Sequence, residues 1–289
     1  MFTFSRVRCY AGSVLAAFLL CGYATQAAAE IKIGIMQAQK GDAQKFKPLV
    51  DYLKSKGVDS SLVAASTYSE AAKMFSAGQI DAMFSGSGVA GSMIIKEVAK
   101  PVLRPVNAEG ISTYWAVVIA AKGAPAFNGD AAYFSGKRVV FTALASSGEI
   151  YYHALPDIKK AANVTIMKAA SHGAALDTLS RGMADIAIVK NRVWDKESAK
   201  FATLVKVGED KGENPDNTLI VSVKMDGKTA DHLAETLMGM NNDTSELANQ
   251  ARSSLGMKSF VRTTAKDFEH NLAMLKRAGV DKNFEFDFH

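Results

Sequence analysis

Apolar and polar positions alternate between two periods along this chain. Residues 31–36, Ile-Lys-Ile-Gly-Ile-Met, form a short apolar run that predicts a strand. Phe46, Leu49, Val50 and Leu53 then recur at helical spacing over residues 42–56, and Gly57 supplies the stop. Residues 61–64 predict a second strand. Thr67 and Glu70 have the spacing of a capping box, which starts a helix that runs to about Ala77 and ends at Gly78. Residues 80–84 predict a third strand, and Gly86-Ser87-Gly88 leads into a helix reaching about Lys100.

The alternation then begins again. Residues 114–121 are a long apolar run, of the kind found in strands buried on both faces. A polar loop over 127–136 precedes a strand at 137–142, and Ser146-Ser147-Gly148 leads into a helix through about Lys160. A strand at 164–167, a helix at 173–181 and a strand at 186–189 follow. Residues 208–217 read as a charged loop, 219–223 as a returning strand, and the chain from about 227 as mostly helical.

Strands alternating with helices predict an α/β fold with mixed, mostly parallel sheets. Two βαβ series flank residues 107–121. If the last helices pack back on the first series, the result is two Rossmann-like lobes joined by two crossovers. The expected boundaries are 30–112 with 218–289 for the first lobe and 113–217 for the second.

Composition narrows the class. Hydrophobic residues are 48% of 289 and charged residues 22%, which excludes a disordered or low-complexity chain. The formal charge is +5, but the first 29 residues carry Arg6 and Arg8 and no acid, so the excess from residue 30 onward is +3. That mild excess is spread along the chain, without the basic stripe that a nucleic-acid partner requires. The N-terminus has its own pattern: two arginines, an apolar stretch at 13–20, and Ala27-Ala28-Ala29 directly before Glu30. This predicts a cleaved secretory signal over residues 1–29. The alternative of a membrane anchor needs a longer apolar run, about 20 residues. Lipidation at Cys21 would want a small residue where Leu20 stands. Both cysteines, Cys9 and Cys21, fall in this segment, so the chain after it has no disulfide or thiolate chemistry.

Candidate chemistry sits where strands hand over to helices. Ser85 and Ser87 flank Gly86 at one such junction, and residues 142–148, with Thr142, Ser146, Ser147 and Gly148, form another. Hydroxyls and free amides at a helix N-terminus favour an anion; the same serines are also ordinary N-caps. His172, at a third strand–helix turn, can donate to an oxyanion if protonated, or be purely structural. No G-x-S-x-G elbow surrounds Ser85 or Ser87, and no G-x-x-x-x-G-K-[ST] loop is present. Glu149 and His153 lie four apart, but no zinc-type spacing occurs, so neither a metal nor a cofactor is expected.

Several of these pieces in order give a family resemblance: the opening strand, 46–53 with Gly57, Thr67-Tyr68, 78–81, 114–121, 135–139, Ser146-Ser147-Gly148, Ser171-His172 and 182–185. Over about residues 30–280 the chain resembles the phosphonate-binding branch of the periplasmic solute-binding proteins that serve ABC importers, with the type II periplasmic binding protein fold. The resemblance implies two lobes hinged around a ligand cleft, no enzymatic activity, and an inner-membrane permease as partner of a monomer. The family's anion-binding Ser-Thr-Ser run falls on Ala145-Ser146-Ser147, its histidine on His172 and one tyrosine on Tyr68. Val89 stands where members tend to have a second tyrosine, and Lys190 near the position of acids that bind a ligand ammonium. The expected ligand set is Tyr68, Ser85, Ser87, Tyr114, Ser146, Ser147, Gly148, His172 and Lys190. The expected ligand is a phosphonate, phosphite or phosphate-like anion, with simple oxyanions preferred to aminoalkyl phosphonates. A sensory protein coupled to a membrane signalling partner, an enzyme using His172, and a scaffold with a degenerate cleft are the competing readings.

Overall fold

The structure, a computed structural model, describes residues 30–36, 42–142 and 145–288. The expected signal segment lies outside the described residues. The first half of the chain forms β1 (Ile31–Met36), α1 (Lys47–Ser55), β2 (Ser60–Ala65), α2 (Tyr68–Ala77), β3 (Ala82–Ser85) and α3 (Ser87–Ile95). It continues through β4 (Ala99–Val106), β5 (Thr113–Tyr114), β6 (Ala116–Ala121), β7 (Arg138–Thr142) and α4 (Ser147–Ala154). Then come β8 (Thr165–Ala169), α5 (His172–Ser180), β9 (Ile186–Lys190), α6 (Asn191–Glu197), β10 (Leu204–Glu209) and β11 (Asn214–Pro215). The chain ends with β12 (Thr218–Ser222), α7 (Gly227–Gly239), α8 (Glu246–Ser254), β13 (Ser259–Arg262) and α9 (Glu269–Arg277).

Two mixed sheets organise these elements into two lobes. One has the order β13-β4-β12-β3-β1-β2, the other β10-β6-β9-β7-β8, and β5 pairs with β11 between them. Each sheet divides in two. The βαβ parts, β3-β1-β2 and β9-β7-β8, are parallel, and the rest is antiparallel. Parallel pairing is thus confined to one half of each sheet, because β12 returns antiparallel into the middle of the first and β6 into the second. Both faces of each sheet are covered. Along β6, Ala116 and Val118 enter one core cluster while Val117 and Ile119 enter another, as expected for a strand buried on both sides.

Several elements depart from the sequence expectation. α3 stops at Ile95 rather than near Lys100; Glu97 takes a positive φ of 58°, and β4 begins two residues later. β4 carries Pro101 and Pro105, which lack the N–H a ladder needs and disguise a strand in sequence. Its pairing with β12 shifts register between Leu219 and Ile220, opposite Leu103 and Pro101. The helix after Ser146 ends at Ala154, with a separate 3-10 turn at Ile158–Lys160. β10 lies mostly in a stretch where the sequence predicts no element, and β13 in one read as mostly helical.

The last residues reach across both lobes. The Glu285 carboxylate accepts from Ser69 at the start of α2, Asp287 pairs with Lys168 of β8 at 2.9 Å, and the Phe288 ring stacks on His153 of α4 at 4.6 Å.

Candidate functional site: a cavity at helix N-termini

A cavity of about 300 Å³ opens where α2, α4 and α5 begin, at the carboxyl ends of their preceding strands. Its walls include Tyr68, Tyr114, Thr142, Ser146, Ser147, His172, Lys190, Asp216 and Asn217. Thus Tyr68, Tyr114, Ser146, Ser147, His172 and Lys190, six of the nine expected ligand residues, share one cavity. Ala143 and Leu144, at the expected junction 142–148, lie outside the described residues.

The α4 junction shows why two adjacent serines differ. Ser146 is the N-cap, with extended backbone; its Oγ accepts from the Glu149 N–H at 3.2 Å and donates to the Thr142 carbonyl. Its hydroxyl is therefore committed within the protein. Ser147 is 7% exposed, lines the cavity, and its Oγ has no hydrogen-bond partner. A buried hydroxyl without a partner is costly, and a ligand oxygen would satisfy it. Gly148 packs behind the cavity: a Cβ there would lie 2.2 Å from the Ile188 carbonyl oxygen, so it allows α4 to approach β9. Ala145, with a φ of 55°, donates its N–H to the buried Glu149 carboxylate at 2.8 Å.

Ser85 and Ser87 do not line the cavity. Ser85 Oγ is buried without a partner, opposite Thr218 across the β3–β12 pair, whose Oγ1 is also without one. Ser87 holds a cavity residue in place: its Oγ bonds the Tyr114 hydroxyl and accepts from Asn271 Nδ2 at 3.3 Å. Burial raises the Tyr68 phenol, and raises Tyr114 well above the usual phenol range, so both stay neutral donors at pH 7. His172 Nδ1 lies 3.3 Å from Thr142 Oγ1. Burial, then the nearby Lys190 charge, push the imidazole down to about 4, so it is neutral in the ligand-free site at pH 7.

Two charged groups, Lys190 and Asp216, complete the wall, and Arg192 stands behind them. Lys190 Nζ sits 2.5 Å from Asp216 Oδ1 and 4.2 Å from the Tyr114 ring centre, and Arg192 donates to the other Asp216 oxygen. Burial lowers the Lys190 ammonium from its usual value, and its contact with Asp216 opposes that shift. Sequence reading missed Asp216, Asn217 and Arg192. Asp216 and Asn217 had one signal: Asn-Pro-Asp-Asn stands directly ahead of the returning strand, where the chain crosses between lobes. Among the described residues no group of three or more His, Cys, Asp or Glu is placed to hold a metal, and no helix is long and apolar enough to cross a membrane.

Comparison with known proteins supplies the context. Residues 33–268 match the family described as ABC transporter, phosphonate, periplasmic substrate-binding protein. No curated protein shows a significant match. Among solved structures, a Xanthomonas citri protein bound to chloride ion superposes with a TM-score of 0.72 at 14% identity, covering 87% of this chain and 99% of that one. PhnD1 from Prochlorococcus marinus in complex with methylphosphonate gives 0.66 at 13% identity, covering 86% and 98%. A binding protein component of an ABC phosphonate transporter from Pseudomonas aeruginosa gives 0.63 at 14%, covering 88% and 89%. At these identities the likeness shows the shared fold.

Proposed function

Because the chain belongs to the periplasmic substrate-binding proteins of phosphonate ABC transporters, a family of transport components rather than enzymes, we propose that its cavity binds a small phosphonate or similar oxyanion and delivers it to an inner-membrane permease. The observation that carries this is the composition of one cavity wall, where Tyr68, Tyr114, His172 and Lys190 meet Ser147, whose buried Oγ at the start of α4 has no partner within the protein. The first-turn amides of α4 and the positive end of its dipole favour the same charge. Tyr68 donates from the opposite lobe. The methylphosphonate bound by the Prochlorococcus relative is a ligand of suitable size and charge. In this reading residues 1–29 are removed after Ala29 without lipidation of Cys21, and the protein works as a monomer in the periplasm, with no nucleic-acid partner. The lobes are 30–112 with 218–289 and 113–217, and they close on the ligand by bending at the β5–β11 crossover.

Calorimetric titration with methylphosphonate, phosphite and phosphate tests the reading. At least one should bind and raise the melting temperature. Ser147→Ala should lose about ten- to a hundredfold in affinity, the worth of a roughly 1.5–3 kcal/mol bond to a charged group. Its melting temperature should stay near that of the parent, since Ser146 is the cap. Ser146→Ala should instead lose about 1 kcal/mol of stability. Equal affinity in Ser147→Ala and the parent would remove Ser147 from the site.

A further inference from the structure

Tyr114 is gripped at both ends by a buried polar chain that starts on α9. Its hydroxyl meets Ser87 Oγ at the start of α3, and its backbone carbonyl accepts from Asn214 Nδ2 at 3.4 Å. Asn271 of α9 ties these two contacts together: its Nδ2 donates to Ser87 Oγ at 3.3 Å and to Asn214 Oδ1 at 3.0 Å. Ser87, Asn214 and Asn271 are each 1% exposed. One end of the chain sets the direction of every bond in it. A carbonyl only accepts, so Asn214 must turn its Nδ2 to Tyr114 and its Oδ1 to Asn271, and Asn271 must then present its own Nδ2. Asn271 Oδ1 is left without a partner in consequence, beside Gly91, where a Cβ would stand 2.2 Å away. Because Asn271 offers Ser87 only a donor, the Ser87 hydrogen has the Tyr114 hydroxyl as its acceptor among the described residues. If Tyr114 donated to Ser87 instead, that hydrogen would be buried without an acceptor, at a cost. The hydrogen left over is then the phenolic one, on a ring that lines the cavity.

We propose that Asn271 is a positioning residue for the anion: through Ser87 it orients the Tyr114 hydroxyl as a donor to the bound phosphonate. This rests on the reading of the cavity as a phosphonate site. The oxygens of an anion accept hydrogen bonds, so a hydroxyl whose hydrogen is committed elsewhere would face them with its lone pairs. Turned the other way, the Asn271 amide would accept from Ser87, and Tyr114 would give its hydrogen to Ser87 rather than to the ligand. The unpartnered Oδ1 is the cost of keeping the chain in the productive direction.

Calorimetry with methylphosphonate on the parent, Tyr114→Phe, Asn271→Ala and the double variant tests this. Tyr114→Phe keeps the ring and should lose about tenfold or more in affinity, the worth of a hydrogen bond to a charged group. Asn271→Ala frees Ser87 to accept from Tyr114 and should lose about fivefold, the worth of an ordinary hydrogen bond. In the Tyr114→Phe background the same substitution should change affinity by less than about twofold, although the melting temperature falls in both backgrounds. A residue that only supports the fold would cost the same affinity with or without the hydroxyl, so equal losses in the two backgrounds overturn the proposal. Tyr114→Phe binding as tightly as the parent also overturns it, while leaving the phosphonate site intact. Asn271→Leu fills the space without a donor and carries the cycle if melting curves show that the alanine variant is unfolded. A folded parent that binds none of methylphosphonate, phosphite and phosphate overturns the reading of the cavity and this proposal together.

Discussion

At the scale of single residues, burial decides which groups carry charge. His172 is held at about 4 in the folded protein against about 6.5 when unfolded. Below pH 6.5 the unfolded chain takes up a proton that the folded site refuses, so stability is lost as pH falls from about 6.5 toward 4. His153, also pushed down to about 4 by burial and then by Lys168 and Lys159, loses stability over the same window. Melting temperature should therefore decline across that interval, and His172→Asn should decline less. A bound oxyanion opposes the depression, because an imidazolium donates to it. Affinity for sulfate, which does not titrate in this range, should rise as pH is lowered from 7 to 5 in the parent and stay flatter in His172→Asn. Equal slopes in the two proteins would place His172 outside the ligand's reach. The depressed imidazole has no sequence signature: it depends first on burial and then on a lysine 18 residues away being folded beside it. The Lys190–Asp216–Arg192 cluster escaped sequence reading for the same reason, since Asp216 lies in a stretch whose charges look like a solvated loop.

At the scale of elements, the α4 junction depends on close backbone approach. Gly88, at the start of α3, faces the Ala145 carbonyl ahead of α4; a Cβ would stand 2.0 Å from that oxygen and 2.3 Å from Ile150 Cδ1. These two helices belong to different lobes, so the methyl group of Gly88→Ala would hold the lobes apart without disturbing either sheet. We expect Gly88→Ala to weaken methylphosphonate binding by at least about tenfold and to lower the melting temperature of the ligand-free protein as well, because Ala145 and Ile150 share one buried core cluster with Val89 and Met93. Gly148→Ala, whose Cβ meets Ile188 within one lobe, should lower that melting temperature directly. Calorimetry and melting curves on the two variants measure these effects. The glycines were visible in sequence as parts of serine–glycine junctions, but not what each one faces. The strands with continuous apolar runs, β1, β6, β7 and β9, were legible because periodicity suffices for them. β4 was not, because its two prolines argue against a ladder that a register shift in fact accommodates. Thr67 was legible as a cap and accepts from Glu70 N–H at 3.0 Å. Glu70 answers one residue further back than expected, at the Ser66 N–H.

At the scale of the whole molecule, the two lobes differ in how they use the chain. All five strands of the second sheet come from one continuous stretch, Ala116 to Glu209. The first sheet joins β1 to β4 with β12 and β13, and β12 enters between β3 and β4. An α/β fold with mostly parallel pairing is readable from strand–helix alternation, but the insertion point of β12 is a long-range pairing that no local pattern records. The C-terminal segment adds a further link, since Glu285 reaches α2 in one lobe and Asp287 reaches β8 in the other. Deleting residues 285–289 should therefore lower the melting temperature, with the loss reduced in high salt for the share due to the exposed Lys168–Asp287 pair.

The central place of β12 also imposes an order in time. A chain that emerges N-terminus first can pair β1, β2 and β3 as soon as they appear, and can finish the second sheet once Glu209 has emerged. Until β12 follows, β3 presents an open edge and β4 has no neighbour on either side. The first lobe begins earliest and closes last, and for most of the chain's emergence it exposes the kind of unpaired strand edge on which aggregation starts. The continuous lobe becomes the completed platform, and the interrupted one waits for its keystone.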